Sequence, residues 1–407
     1  MASSGACDSA RASLPALDVV TELESPAGRG SSEPFLFSGD DGIAYLSWLE
    51  PTDESLWQSA STRRGAFRMR FAVRENGTWS EPRTIAEGEN FSANWANFPS
   101  LLRLPDGTLA AHWSGQRESG GAGGFFVSFS RDGGRSWTVP AGAGPDGEPT
   151  GSFVALFPWE DGTLAGVWLD DPREEEKNER GGETADGMTL RFGRFDLDGS
   201  LVEQSVLAPL VCSCCQNAAA VTAEGPVVVY RGRTQGEVRD IGVMRFSDGR
   251  WSEPRTLHDD GWVIPACPVN GPSIAASDRL VVVAWFTGVA EQPKVQVNFS
   301  EDAGATFGDA FRVDDGDPLG RVDVELLADG TAVVSWLERT ETEAEIRVRR
   351  FAPSGRSGAS HAVAVASQER PSGFPRMVRQ GDDLLFTWTR PGNPGQVLVA
   401  RAGVPKD

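Results

Sequence analysis

Four cysteines, Cys212, Cys214, Cys215 and Cys267, crowd into 56 of the 407 residues, and the fifth, Cys7, lies near the N-terminus. Such clustering points to covalent pairing or to metal rather than to scattered buried thiols. Three chemistries fit the spacing. Two disulfides, Cys214–Cys215 and Cys212–Cys267, would pin neighbouring parts of the chain. A thiolate set of Cys212, Cys214, Cys215 and Cys267 would hold a soft ion, copper(I) or zinc. A redox-active pair would need one exposed sulfur of low pKa. Cys-x-Cys-Cys is tighter than the usual Cys-x-x-Cys of zinc sites, so the three readings stay open.

Arginine gathers just beyond, in the run from Arg231 through Arg233 to Arg239 and Asp240. Guanidinium forks match carboxylates and phosphates, so Arg231, Arg233 and Arg239 are candidate anion ligands, against an ordinary surface loop with an Arg–Asp pair. His258 precedes Asp259 and Asp260 on the way to Cys267, as a candidate ligand or proton carrier or a solvated loop histidine. His112, beside Trp113, is a weaker candidate. Trp95, within Asn94-Trp95-Ala96-Asn97, offers a flat face for stacking a sugar, or packs against a wall. The acidic excursion Asp170 to Asp186 reads as a solvated loop, with a cation site or lid as the alternative.

The elements that position these residues form a repeat. Gly77-Thr78-Trp79-Ser80-Glu81-Pro82-Arg83-Thr84 returns 172 residues later as Gly249-Arg250-Trp251-Ser252-Glu253-Pro254-Arg255-Thr256. A second phrase, an apolar strand, a Gly-containing turn and an alternating strand ending in an aromatic residue, recurs with anchors Trp48, Trp113, Trp168, Tyr230, Trp285, Trp336 and Trp388. The spacings are 65, 55, 62, 55, 51 and 52 residues. Short runs alternating with period two, such as Thr331 to Trp336, make each unit a small antiparallel sheet. One such sheet cannot bury both faces, whereas a ring of them can. The fold class is therefore all-β: a β-propeller of seven four-stranded blades, with six as the alternative count. It would be closed by the Leu17 to Leu23 segment completing the last blade. Residues 1–16 are expected to be an export remnant or tag and 17–407 a single domain.

Ser130-Arg131-Asp132-Gly133-Gly134-Arg135-Ser136-Trp137 and Ser300-Glu301-Asp302-Ala303-Gly304-Ala305-Thr306-Phe307 both fit Ser-x-Asp-x-Gly-x-x-Trp/Phe. This resembles the Asp box, or BNR repeat, of sialidase-like propellers. The resemblance implies that the box joins the third and fourth strands of a blade on the face opposite the active site, marking fold and not catalysis. The sialidase catalytic set of an arginine triad, a nucleophilic Tyr with its Glu, and an Asp is not matched. Ser31-Ser32-Glu33-Pro34 stands where the family carries its first arginine, and Tyr45 and Tyr230 fall among the apolar anchors.

The formal net charge of −20, with no Lys/Arg-rich block, excludes the footprint of a nucleic-acid binder. No apolar run reaches the ~20 residues of a membrane helix. Expected partners are a small molecule, a glycan or a metal ion. Ser4-Gly5-Ala6-Cys7 resembles the end of a lipoprotein signal, with a cloning tail as the alternative. It sets the expectation of an extracytoplasmic protein, periplasmic, secreted or anchored by lipid at Cys7. The leading functional expectation is a binding protein whose Cys- and Arg-lined site sits at the channel mouth. The alternatives are an exo-acting glycoside hydrolase or lyase and a protein-interaction scaffold. The catalytic residues stay unassigned.

Overall fold

The computed structural model describes residues 13–39, 41–53, 62–117, 120, 123–172 and 187–405; Cys7 and most of the acidic excursion fall outside them. The architecture is all-β, with short 3-10 turns as its helical elements. Each anchor residue lies on the second strand of its unit, for example Trp48 on Ala44–Pro51, Trp168 on Leu164–Asp170 and Trp336 on Ala332–Arg339. These strands are buried along nearly their whole length, because a neighbouring sheet covers each face. All seven anchors are buried. Removing one such indole from a core costs about 3–5 kcal/mol.

The strands pair as antiparallel sheets in chain order. The first two units are joined into one sheet at a single pair, Phe91 with Gly115. The second unit departs from the expected four strands. It has Ser100–Arg103, Leu109–Gly115 and Gly124–Ser130, and two isolated bridges, Val127 to Ala141 and Phe125 to Thr150, where a fourth strand would run. Thr21–Leu23 pairs antiparallel with the last strand, Gln396–Gly403. The pairing stretch is shorter than the Leu17 to Leu23 expected, since Leu17 instead packs into a core beside Leu327 and Leu384.

Strands that precede the anchor strands are Ser32–Ser38, Ser100–Arg103, Ser152–Pro158, Ala218–Thr222, Ser273–Ser277, Pro318–Leu326 and Arg376–Gln380. Each lies against the next in chain order, and Arg376–Gln380 lies against Ser32–Ser38. Apolar cores fill the spaces between successive sheets. One of them joins the two ends of the chain, with Leu36, Trp48 and Ala72 packed on Val378, Leu385, Val397 and Val399.

The Asp-containing turns show how local sequence sets these junctions. Asp132 accepts the backbone N–H groups of Arg135 and Ser136 and the hydroxyls of Ser130 and Ser136. Asp302 does the same for Thr306 and Ser300. Gly134 takes a φ of 85° within contact of Phe71, against which Trp137 packs edge-on, so the turn packs the second unit on the first.

Candidate functional site: a thiol-rimmed central cavity

A cavity of about 640 Å³ is lined by residues from all seven first strands. Its size falls within the range of about 300–1,000 Å³ typical of ligand sites. At the end where those strands begin, three of them bulge. Glu33, Phe153 and Arg321 take left-handed φ values of 47°, 54° and 53°, each at a register shift in its sheet. Such strain costs of order 1–3 kcal/mol per residue and collects where side chains must be re-aimed toward a site.

The loop from Cys212 to Cys215 leads directly into this end. It is held at both sides. The Cys212 N–H donates to the Arg231 carbonyl. The Gln216 side chain donates to the Ala96 carbonyl and accepts from the Gly271 N–H. Asn217 Nδ2 donates to the Phe153 carbonyl, while its buried Oδ1 has no partner and Asn217 itself lines the cavity. Cys212 and Cys215 are each 1% exposed, and Cys214 is half-buried. Cys212 Sγ lies 3.0 Å from Cys215 Sγ and 3.8 Å from Cys214 Sγ. Hydrogen bonds from Cys214 and Cys215 draw the Cys212 thiol far below its ordinary pKa, and burial pushes Cys215 up to about 12.

Cys267 does not join this group. It is exposed, and it lies on a stretch flanked by Pro265 and Pro268, whose missing N–H groups and set φ keep that stretch out of a sheet. Cys212, Cys214, Cys215 and Cys267 are all free thiols, so the expected Cys214–Cys215 and Cys212–Cys267 pairings are not formed.

The arginines are committed internally rather than presented as an anion clamp. Arg231, 1% exposed, donates to the backbone carbonyls of Asn270, Arg239 and Phe286 and stacks over Trp262 at 5.1 Å. Arg233 and Arg239 both bind the Glu237 carboxylate, at 2.6 and 2.5 Å. Asp240 caps the Gly261 and Trp262 N–H groups. His258 Nδ1 lies 2.9 Å from Asp260, which also holds Trp285 and Gln296. Trp95 stacks on Phe374 at 5.7 Å, with the Arg321 guanidinium 4.8 Å from its ring. His112 is buried against Ser100, and burial lowers its pKa to about 3.

Four cavity residues were missed by the sequence reading. Asp323 and Glu325, two apart on Pro318–Leu326, both line the cavity, as do Arg376 and Arg379. Asp323 accepts from Ser273 Oγ at 2.8 Å, from the Met377 N–H at 2.8 Å and from its neighbour Val324, with Arg376 at 3.6 Å. The Arg376 guanidinium packs on the rings of Phe35 and Phe98, at 5.1 and 4.8 Å, and those two rings stack on each other. Glu325 is in the opposite situation: burial, aided by the Asp323 charge, raises its pKa to about 8 against the pull of Arg379. The available signal was the Val322-Asp323-Val324-Glu325 alternation, which sets two acids on one face of an otherwise apolar strand.

The fold defines a β-propeller. The chain aligns with a protein of unknown function from Dyadobacter fermentans at 16% identity, covering 96% of this chain and 98% of that one, with a TM-score of 0.54. The polysaccharide lyase Uly1 aligns at 9% identity over 92% and 90% of the two chains, with a TM-score of 0.52. The NanB sialidase of Streptococcus pneumoniae aligns at 11% identity over 95% and 70%, with a TM-score of 0.44. At these identities the likeness to the first two shows the fold alone. No family model and no curated protein matches the chain.

Proposed function

We propose that the chain is a seven-bladed propeller, closed by the pairing of Thr21–Leu23 with Gln396–Gly403, that acts on a carbohydrate in its central cavity as a glycoside hydrolase or lyase. The observation that carries this reading is the opposed pair Asp323 and Glu325. A carboxyl whose pKa burial raises, two residues from a second, hydrogen-bonded carboxylate on the same strand face, offers an acid and an anion to one substrate. Glu325, protonated at neutral pH, donates a proton to a leaving glycosidic oxygen. Asp323, held by Ser273 Oγ and the Met377 N–H, is placed to face a developing positive charge or a water. Arg376 and Arg379 line the cavity and suit an acidic sugar. That a polysaccharide lyase shares the fold supports the reading by analogy only. A pure binding role through Arg231, Arg233 and Arg239 has less support, because those side chains are already committed. An extracytoplasmic address belongs with this reading.

The test is a panel of neutral and uronate-containing polysaccharides, followed by reducing-end release and by ultraviolet absorbance of unsaturated products. Glu325→Gln is expected to lower turnover by about 100- to 10,000-fold, the usual worth of a positioned acid. A Glu325→Gln variant as active as the parent, or a panel giving neither turnover nor binding, overturns the reading.

A further inference from the structure

The carbohydrate reading makes no use of the three thiols at the rim. Their Sγ atoms lie within 4.8 Å of one another, and no histidine, carboxylate or fourth cysteine joins them among the described residues. Three sulfur donors without a fourth ligand are a poor match for structural zinc, which takes four in a tetrahedron. They match a soft monovalent ion that accepts three-coordination, and thiolates select copper(I). With metal–sulfur bonds of about 2.3 Å, the corners of a planar three-sulfur site lie about 4 Å apart. The 3.8 Å between Cys212 and Cys214 already has that length, and the 3.0 Å between Cys212 and Cys215 needs only a side-chain rotation to open.

The surroundings fit the charge. Three thiolates around one copper(I) carry a net charge of −2, and two buried guanidinium groups adjoin them. Arg239 hydrogen-bonds Cys212, and Arg231 lies within electrostatic reach of Cys212 and Cys215. The loop is held in place by the Gln216 contacts to Ala96 and Gly271, so little order has to be gained on binding. Cys212 and Cys215 are shielded from water while half-buried Cys214 leaves a way in.

We infer that Cys212, Cys214 and Cys215 form a three-coordinate copper(I) site at the mouth of the central cavity, with Arg231 and Arg239 balancing its charge and Cys267 taking no part.

The experiment is anaerobic titration of the fully reduced, full-length protein with copper(I) against a chromogenic copper(I) chelator, with X-ray absorption of the loaded protein. One equivalent bound through three sulfurs is expected. Cys214→Ser, at the half-buried position, should abolish stoichiometric binding while circular dichroism stays unchanged. Cys267→Ser should bind as the parent does. Arg239→Gln should weaken binding by about 10–100-fold, the usual effect of losing a group that supports a ligand. Substoichiometric binding by the reduced protein overturns the inference. So do equal losses from Cys214→Ser and Cys267→Ser, tighter binding of zinc than of copper(I), or mass spectrometry showing a quantitative disulfide among the three in the native protein. The readout is metal bound, not turnover, so this inference and the carbohydrate reading fail separately.

Discussion

Ser273 Oγ donates to Asp323 Oδ1 across 2.8 Å, joining the first strands of two successive sheets fifty residues apart in the chain. That bond and the Met377 N–H fix the Asp323 carboxyl two residues from Glu325, whose pKa the Asp323 charge helps burial to raise.

Glu325 makes stability pH-dependent in an unusual direction. Its folded pKa of about 8 exceeds the 4.5 of a free glutamate, so the folded form keeps a proton that the unfolded form has lost. The contribution is whole below about pH 4.5 and disappears as pH rises to about 8. At about 1.4 kcal/mol per pKa unit this amounts to a few kcal/mol. Melting curves of the parent and of Glu325→Gln should therefore diverge with rising pH, the variant becoming the more stable. Parallel curves across that window would refute the burial of this carboxyl.

His112 acts at the other end of the scale. Burial lowers its pKa from 6.5 to about 3, so the unfolded chain binds a proton that the folded one refuses. Its contribution is whole above pH 6.5 and is lost as pH falls toward 3. His112→Gln, which keeps a partner for Ser100, should flatten the acid limb of the stability profile relative to the parent, as read by urea midpoints.

Arg231→Ala separates structural from ligand-binding roles. Three buried carbonyls would lose their donor, each at about 1–3 kcal/mol. The expected outcome is a fall in melting temperature of many degrees, shared by Arg231→Lys in weaker form. A variant as stable as the parent would reopen the anion-clamp reading.

Gly134→Ala probes the turn that packs the second unit on the first. An added Cβ would stand 2.3 Å from the Phe71 ring, at a φ of 85°. Strain and overpacking together should cost about 2–4 kcal/mol. Gly77→Ala, with a similar φ but open space, should cost visibly less in the same denaturant series.

Deleting the chain through Leu23 would uncover the edge of Gln396–Gly403. A cooperative transition at lower temperature is expected, and an unchanged one would mean that the terminal strand does not close the ring.

The repeat was legible because each unit has to bury the same kind of second strand, so Trp48, Trp168, Trp285 and Trp336 recur as fully buried anchors at nearly even spacing. The crowding of Cys212, Cys214 and Cys215 was legible too, since residues so close in sequence remain close in space. The role of Arg231 was not, because the three carbonyls it serves come from residues 239, 270 and 286. Nothing in a linear pattern distinguishes an arginine facing solvent from one turned inward.

What the amino-acid order determined alone was local: alternation that makes strands, Asp and Gly that make turns, aromatic residues that demand burial. Which distant groups meet was decided by the stacking of sheets around a common cavity. Burial and charge act through space, so the low proton affinity of His112, the high one of Glu325 and the exposure of Cys267 depend on neighbours that only the folded chain assembles.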